Sequence, residues 1–241
     1  LLLKAVPENA AYTKYRLAGL YEEGRGTQED MVKAITLYEA AAAEGLAAAE
    51  YSLGNIYEKG LGGLEVDEER ALDFYRSSAK NGYILSVTSI GNFYRYGLGG
   101  LEVDAALAYE YFLRAAEAGE SLGQTLVADM LLYGEGVKKS EKLAYSWYIT
   151  AAEQGQPHAS RQLSSMYFSG SGTKKDLKKS FEFALKAATA GNPRAMGLVG
   201  TKYRWGDGVE KNYVLAEEWF QRAIDAGDGE SAANLATLLL D

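Results

Sequence analysis

A mostly aromatic position recurs along the chain at near-constant spacing: Tyr21, Tyr57, Tyr94, Leu131, Tyr167, Tyr203 and Leu239, separated by 36, 37, 37, 36, 36 and 36 residues. A period of this length constrains the fold more than any other feature. Each unit is one supersecondary element that cannot bury its own apolar face, so it must stack on its neighbours. The extra residue in two units falls in a loop spelled identically twice, GLGGLEVD at 60–67 and 97–104. The corresponding loops elsewhere read GRGTQED, GEGVKKS, GSGTKKD and GDGVEKN, so the glycines belong to the repeating unit. A phosphate-cradling loop would end in Gly-Lys-Ser/Thr at a strand–helix junction. None of these loops does, and no strand pattern precedes one.

Four residues before each anchor stands an apolar residue (Leu17, Leu53, Ile90, Val127, Leu163, Val199, Leu235), followed at once by a small one (Ala18, Gly54, Gly91, Ala128, Ser164, Gly200, Ala236). These offsets are helical and define a helix A. A glycine inside a helix costs about 1 kcal/mol relative to alanine, so its use in three units implies a neighbour packed too closely for a Cβ. After the loop comes a good N-cap residue, Asp30, Asp67, Asp104, Ser140, Asp176 or Asn212, whose side chain can accept from an orphan backbone N–H. Helix B follows, with bulky pairs such as Phe74-Tyr75, Trp147-Tyr148 and Trp219-Phe220, and ends before Gly45, Gly82, Gly119, Gly155, Gly191 or Gly227. Glycine there takes the left-handed conformation that closes a helix. The pattern predicts an all-α solenoid of about thirteen helices without a sheet. It would run as a single array over residues 1–241, with full repeats at 10–46, 47–83, 84–120, 121–156, 157–192 and 193–228 and partial ones at 1–9 and 229–241.

Composition narrows the chemistry. There is no cysteine, which excludes disulfides, thiol catalysis and cysteine zinc sites. The one histidine, His158, excludes multi-histidine metal sites and reads as a surface or groove residue rather than a catalyst. No nucleophile–base constellation appears, so no catalytic residue, metal or cofactor is expected. Paired carboxylates such as Glu22-Glu23 keep a hydrolase only as a distant alternative, since glutamate-rich helices produce such pairs by chance. A formal net charge of −8 without a long basic run argues against nucleic acid. No apolar run approaches the ~20 residues of a membrane span, so this segment is not expected to insert. The charge is uneven: residues 1–120 hold 19 acids against 11 bases, and residues 121–241 hold 14 of each. The basic run Lys174–Lys179 straddles a helix start and reads as a solvated face. The chain opens on Leu1-Leu2-Leu3 rather than Met, as an excised or processed fragment would, with Leu1 to Val6 as the end of an earlier helix B and Asn9 in the glycine position.

The pattern A-x-x-x-L-G-x-x-Y-x-x-G-x-G followed by A-x-x-W-Y-x-x-A-A-x-x-G, seen most cleanly in AEYSLGNIYEKGLG and AYSWYITAAEQG, resembles the Sel-one-like repeat family, relatives of the tetratricopeptide repeats. Local departures are Leu131 for the tyrosine and Ala184 for an aromatic. The resemblance implies a right-handed α/α superhelix of helix-turn-helix repeats. It further implies a non-enzymatic module that binds another protein or peptide as an adaptor, virulence or toxin-inhibiting protein of bacterial type, with the periplasm or envelope favoured over the cytoplasm. A structural scaffold segment within a larger assembly is the alternative.

Motif residues build the spine, so binding must use variable positions. By similarity to tetratricopeptide solenoids, helix A lines the concave face, and its outward positions lie two, five and six residues after the apolar residue. The expected protein-binding set is Asn92, Arg95 and Tyr96, then Asp129, Leu132 and Tyr133, then Phe168, then Arg204 and Trp205. Aromatic residues and arginine are what interface hot spots favour. The earlier rows, with Glu22, Glu23 and Glu58, are acidic and suited to steering a partner.

Overall fold

Every capping position read from the sequence starts a helix. A computed structural model describes residues 10–240, and the expectation for residues 1–9 lies outside the described residues. The described residues form thirteen α-helices, a short 3-10 turn at Leu61–Gly63 and no strand. The protein is thus an all-α solenoid of helix-turn-helix repeats. The chain divides between Glu120 and Ser121 into two compact units. The first holds α1 (Ala10–Glu23), α2 (Met31–Ala43), α3 (Ala47–Lys59), α4 (Glu68–Lys80), α5 (Ile84–Tyr96) and α6 (Ala105–Glu117). The second holds α7 (Ser121–Tyr133), α8 (Glu141–Glu153), α9 (Pro157–Ser169), α10 (Leu177–Thr189), α11 (Pro193–Trp205), α12 (Tyr213–Asp225) and α13 (Glu230–Leu238). Odd-numbered helices are A helices and even-numbered ones are B helices.

At the start of each B helix the cap side chain accepts from the backbone N–H three residues on, at 2.9–3.0 Å for the Asp and Asn caps and 3.4 Å for Ser140. Such a cap contributes about 0.5–2 kcal/mol. The backbone N–H of the same residue donates to the carbonyl of the aromatic anchor on the preceding A helix: Asp67 to Tyr57 at 2.9 Å, Asp104 to Tyr94 at 2.8 Å, Asp176 to Tyr167 at 2.8 Å. Cap and anchor are thereby clasped in every pair. The loops also nest on the repeat before them, as where the Gly99 N–H donates to Glu68 Oε2, on the first turn of α4, at 3.0 Å.

Alanine and aromatic residues make the interior of each pair. Ala34, Ala71, Ala108, Ala144 and Ala216 are fully buried, as are the rings of Tyr75, Phe112, Tyr148 and Phe220 one turn further along the B helices. The anchor ring stacks on the first member of the bulky pair, Tyr57 on Phe74 with centroids 5.5 Å apart and Tyr167 on Phe183 at 5.6 Å. The second member explains the glycines of the A helices. A Cβ on Gly54 would lie 2.6 Å from Tyr75 Cε1, and one on Gly91 would lie 2.5 Å from Phe112 Cε1. The close neighbour is therefore an aromatic ring from helix B.

Candidate functional site

The expected binding residues sit in the C-terminal halves of A helices. In the first unit, α5 carries Asn92 and Arg95, both half-buried, and Tyr96, which is 60% exposed. The Arg95 guanidinium lies 5.5 Å from the Tyr96 ring centroid, so the two form one amphipathic tip.

In the second unit the remaining six residues lie on α7, α9 and α11. Tyr133 is 68% exposed, Trp205 61% and Phe168 44%, whereas Leu132 is half-buried. Large aromatic residues left this open on three A helices are the strongest binding signal in the structure.

Two of the expected contacts are already engaged within the chain. Asp129 accepts from the Tyr148 hydroxyl of α8 and from His158 Nε2 of α9, the latter at 3.0 Å. Gln162 of α9 completes this cluster, its Nε2 lying 3.3 Å from both the Tyr133 and Tyr148 hydroxyls. Burial works to raise the Asp129 carboxyl, but the hydrogen bonds from His158 and Tyr148 win and hold it below its ordinary value. Burial and the adjacent carboxylate push the Tyr148 phenol up. Asp129 is thus a pillar joining three helices. Arg204 donates from Nη1 to Thr237 Oγ1 of α13 at 2.7 Å and stands 5.0 Å from the Trp205 ring. It braces Trp205 while its guanidinium is occupied by its own chain.

The acidic rows behave in the same way. Glu22 accepts from Tyr38 and Glu58 from Tyr75, each at 2.5 Å. These carboxylates cap buried phenols, which burial and that same bond push well above the ordinary tyrosine value. Glu23 pairs with Arg25 at 2.5 Å.

Two residues outside the expected set emerge here, Gln162 in the Asp129 cluster and Lys202, while His158, expected as a surface or groove residue, joins that cluster. Lys202 is only 5% exposed and donates to Ser180 Oγ of α10 at 2.6 Å. Burial pushes its ammonium below the ordinary lysine value, partly countered by Asp207. Its signal was present in the register. The position three residues after the apolar one reads Leu20, Ile56, Phe93, Met130, Met166 and then Lys202.

Among the described residues no group of three or more His, Asp or Glu could hold a metal, and no helix is long and apolar enough to cross a membrane.

The Sel1 repeat model matches six segments of the chain, residues 11–46, 47–83, 88–120, 121–156, 157–192 and 193–228. No curated protein matches the chain. Among solved structures it is similar to a Sel1 repeat protein from Oxalobacter formigenes, with 28% identity and a TM-score of 0.81 over 90% of this chain and 87% of that one. It is also similar to a protective antigen of uropathogenic Escherichia coli with an SLR fold, with 28% identity and a TM-score of 0.78 over 99% of this chain. The chain spans about half of that antigen, 51%. An immunity protein from Pseudomonas aeruginosa, 19% identical with a TM-score of 0.61 over 93% of this chain and 84% of its own, shares the fold.

Proposed function

The chain belongs to the Sel1 repeat family, whose members are generally protein-interaction modules, and from that premise we propose that it binds a protein or peptide through the exposed ends of its A helices, as an adaptor of bacterial type. The observation that carries this reading is the set of open aromatic side chains at those ends: Tyr133, Phe168 and Trp205 on α7, α9 and α11 of the second unit, and Tyr96 on α5 of the first. Each stands on a helix whose other face is locked into the interior, so little entropy is lost when a partner covers it. Asn92 and Arg95 flank Tyr96, and Leu132 flanks Tyr133, as supporting contacts. Asp129 and Arg204 contribute by fixing the helices that present the rings. A finer role, in virulence or in toxin inhibition, is the natural setting for such a module. The Escherichia coli relative is a protective antigen, and the fold is shared with an immunity protein.

The test is affinity capture with this chain, followed by binding of the captured protein to Tyr96→Ala, Tyr133→Ala and Trp205→Ala. Each substitution should weaken binding by about 2 kcal/mol or more while leaving the melting temperature near that of the parent, because the rings are open to solvent. Unchanged affinity in all three, together with loss of binding when exposed B-helix residues such as Val32 and Val214 are replaced by aspartate, would move the site to the B helices.

A further inference from the structure

Two departures from the repeat meet at one place in the second unit. In the first unit, the second aromatic of α4 and the inner residue of α5 pack edge to face, Tyr75 on Phe93 with centroids 5.7 Å apart. The corresponding pair on α10 and α11 is Ala184 and Lys202. Alanine for a ring and lysine for a buried apolar side chain each weaken an interior. Sequences that break local packing rules do so where function demands it.

Beside Lys202 lies a cleft of about 380 Å³ between α9 and α11, lined by Ser164, Ser165, Phe168, Ser169, Leu198, Thr201, Lys202 and Asp207. That volume falls within the range of small-ligand clefts, roughly 300–1,000 Å³. Its hydroxyls are spent as donors on backbone carbonyls: Ser164 on Ser180 at 2.7 Å, Ser169 on Ser165 at 3.0 Å and Thr201 on Gly197 at 3.0 Å. Lys202 is different. An ammonium has three N–H donors, and Ser180 Oγ takes one of them. Among the described residues its other contacts are the Phe168 ring, at 5.1 Å, and the through-space field of Asp207, with no carboxylate in ion-pairing range. The ammonium of Lys175, from the basic run before α10, covers the same ring at 5.4 Å. Around Phe168, two cations therefore face one acid.

We propose that this cleft receives a glutamate side chain from an apolar-flanked segment of the partner protein, its carboxylate accepting from the Lys202 ammonium and its neighbours lying on Phe168 and Leu198. The inference rests on the reading of the exposed A-helix ends as the binding surface and supplies its chemistry at α9 and α11. A buried cation with spare donors attracts an anionic acceptor, because the desolvation already imposed on the lysine is offset when a carboxylate pairs with it. The ammonium lies beneath apolar walls, so the carboxylate must arrive on a methylene stem. Glutamate has that stem, whereas a chain-terminal carboxylate does not.

The experiment uses two capped tripeptides, acetyl-Leu-Glu-Leu-amide and acetyl-Leu-Gln-Leu-amide, titrated into the protein carrying ¹³C/¹⁵N-labelled lysine. The glutamate peptide should bind about tenfold tighter than the glutamine peptide, shift the Lys202 ε-methylene resonances and raise the Lys202 pKa. Lys202→Met, which keeps the stem and loses the charge, should bring the two peptides to equal affinity with no loss of thermal stability. Asp207→Asn should tighten the glutamate peptide, an effect that a merely structural lysine would not produce. Equal affinities in the parent, discrimination that survives Lys202→Met, or no binding of either peptide would each overturn the proposal. If a captured protein still depends on Tyr133 and Trp205 in any of those cases, the binding face stands and only its carboxylate chemistry falls. If it does not, both fall.

Discussion

In the second repeat the ring of Tyr75 lies over Gly54 and its hydroxyl reaches Glu58. In the fifth, Ala184 stands where that ring would be, Ser164 where the glycine would be and Phe168 where the glutamate would be. The second repeat closes its interior with an aromatic ring and caps the phenol with a carboxylate. The fifth joins its helices through two short reciprocal bonds instead, Ser164 Oγ to the Ser180 carbonyl at 2.7 Å and Ser180 Oγ to the Ser164 carbonyl at 2.6 Å. Beside these bonds lie an open ring, a buried lysine and the cleft. One register therefore accommodates both a unit closed by a ring and a unit closed by hydroxyls, and four positions tell them apart, Ser180 for Ala71 being the fourth.

The largest effect that would break this comparison is Tyr75→Ala. It removes a fully buried ring and should cost about 3–5 kcal/mol in urea denaturation, as large aromatic truncations in cores do. A loss below about 1 kcal/mol would mean that the second repeat is not sealed by that ring. Next comes Gly54→Leu, whose Cβ would already sit 2.6 Å from Tyr75. It should cost about 1–3 kcal/mol by overpacking, against about 1 kcal/mol for Ser164→Ala, which loses hydrogen bonds and leaves shape intact. Indistinguishable melts for Gly54→Leu and the parent would show that position to be open.

The smallest effect sharpens the comparison through pH. Burial lowers the Lys202 pKa from 10.5 in the folded state. Between the lowered value and the unfolded value the unfolded chain binds more protons, so the parent gains stability as pH rises through that window. Below the window the full cost of burying the charge is present. Lys202→Met should therefore melt higher than the parent near neutral pH, with the advantage narrowing as pH climbs toward 10.5. A gap that stays constant, or that widens with pH, would show the ammonium to be well solvated.

Most of the architecture was legible in the chain because each of its determinants is local and recurs. The caps at Asp30 through Asn212, the glycines after the B helices and the anchor spacing each repeat six times, and each has a single physical meaning. The glycines at 54 and 91 do mark close packing with no room for a Cβ, the close neighbour being a ring. The candidate site was less legible, because outward and inward positions were assigned by offset alone. Asp129 lies at an outward offset, yet Tyr148 and His158 draw it inward. In repeat four the acid that meets the phenol has moved three residues up the helix from the place held by Glu22 and Glu58. A search for a partner to each helix-B tyrosine would have found it. Arg204 stands in the expected binding set, and its partner Thr237, 33 residues away in sequence, leaves no local signal that the guanidinium is engaged. Lys202 falls outside the outward offsets two, five and six, because it breaks the repeat at offset three.

The clasp between cap N–H and anchor carbonyl has a consequence for how such a chain can change. The same bond closes the seven-residue loop Gly24–Asp30, through Asp30 and Tyr21 at 2.9 Å, and the eight-residue loop Gly60–Asp67, through Asp67 and Tyr57 at 2.9 Å. A residue gained or lost between those two points leaves the phase of both helices untouched. In a coiled coil the same insertion would rotate every downstream side chain off its seam. Here it is absorbed within the loop, in the longer case as the 3-10 turn at Leu61–Gly63. That loop is the place where a foreign peptide could be spliced into the array with both helices kept in phase, at the cost of the contacts the loop makes with the repeat before it.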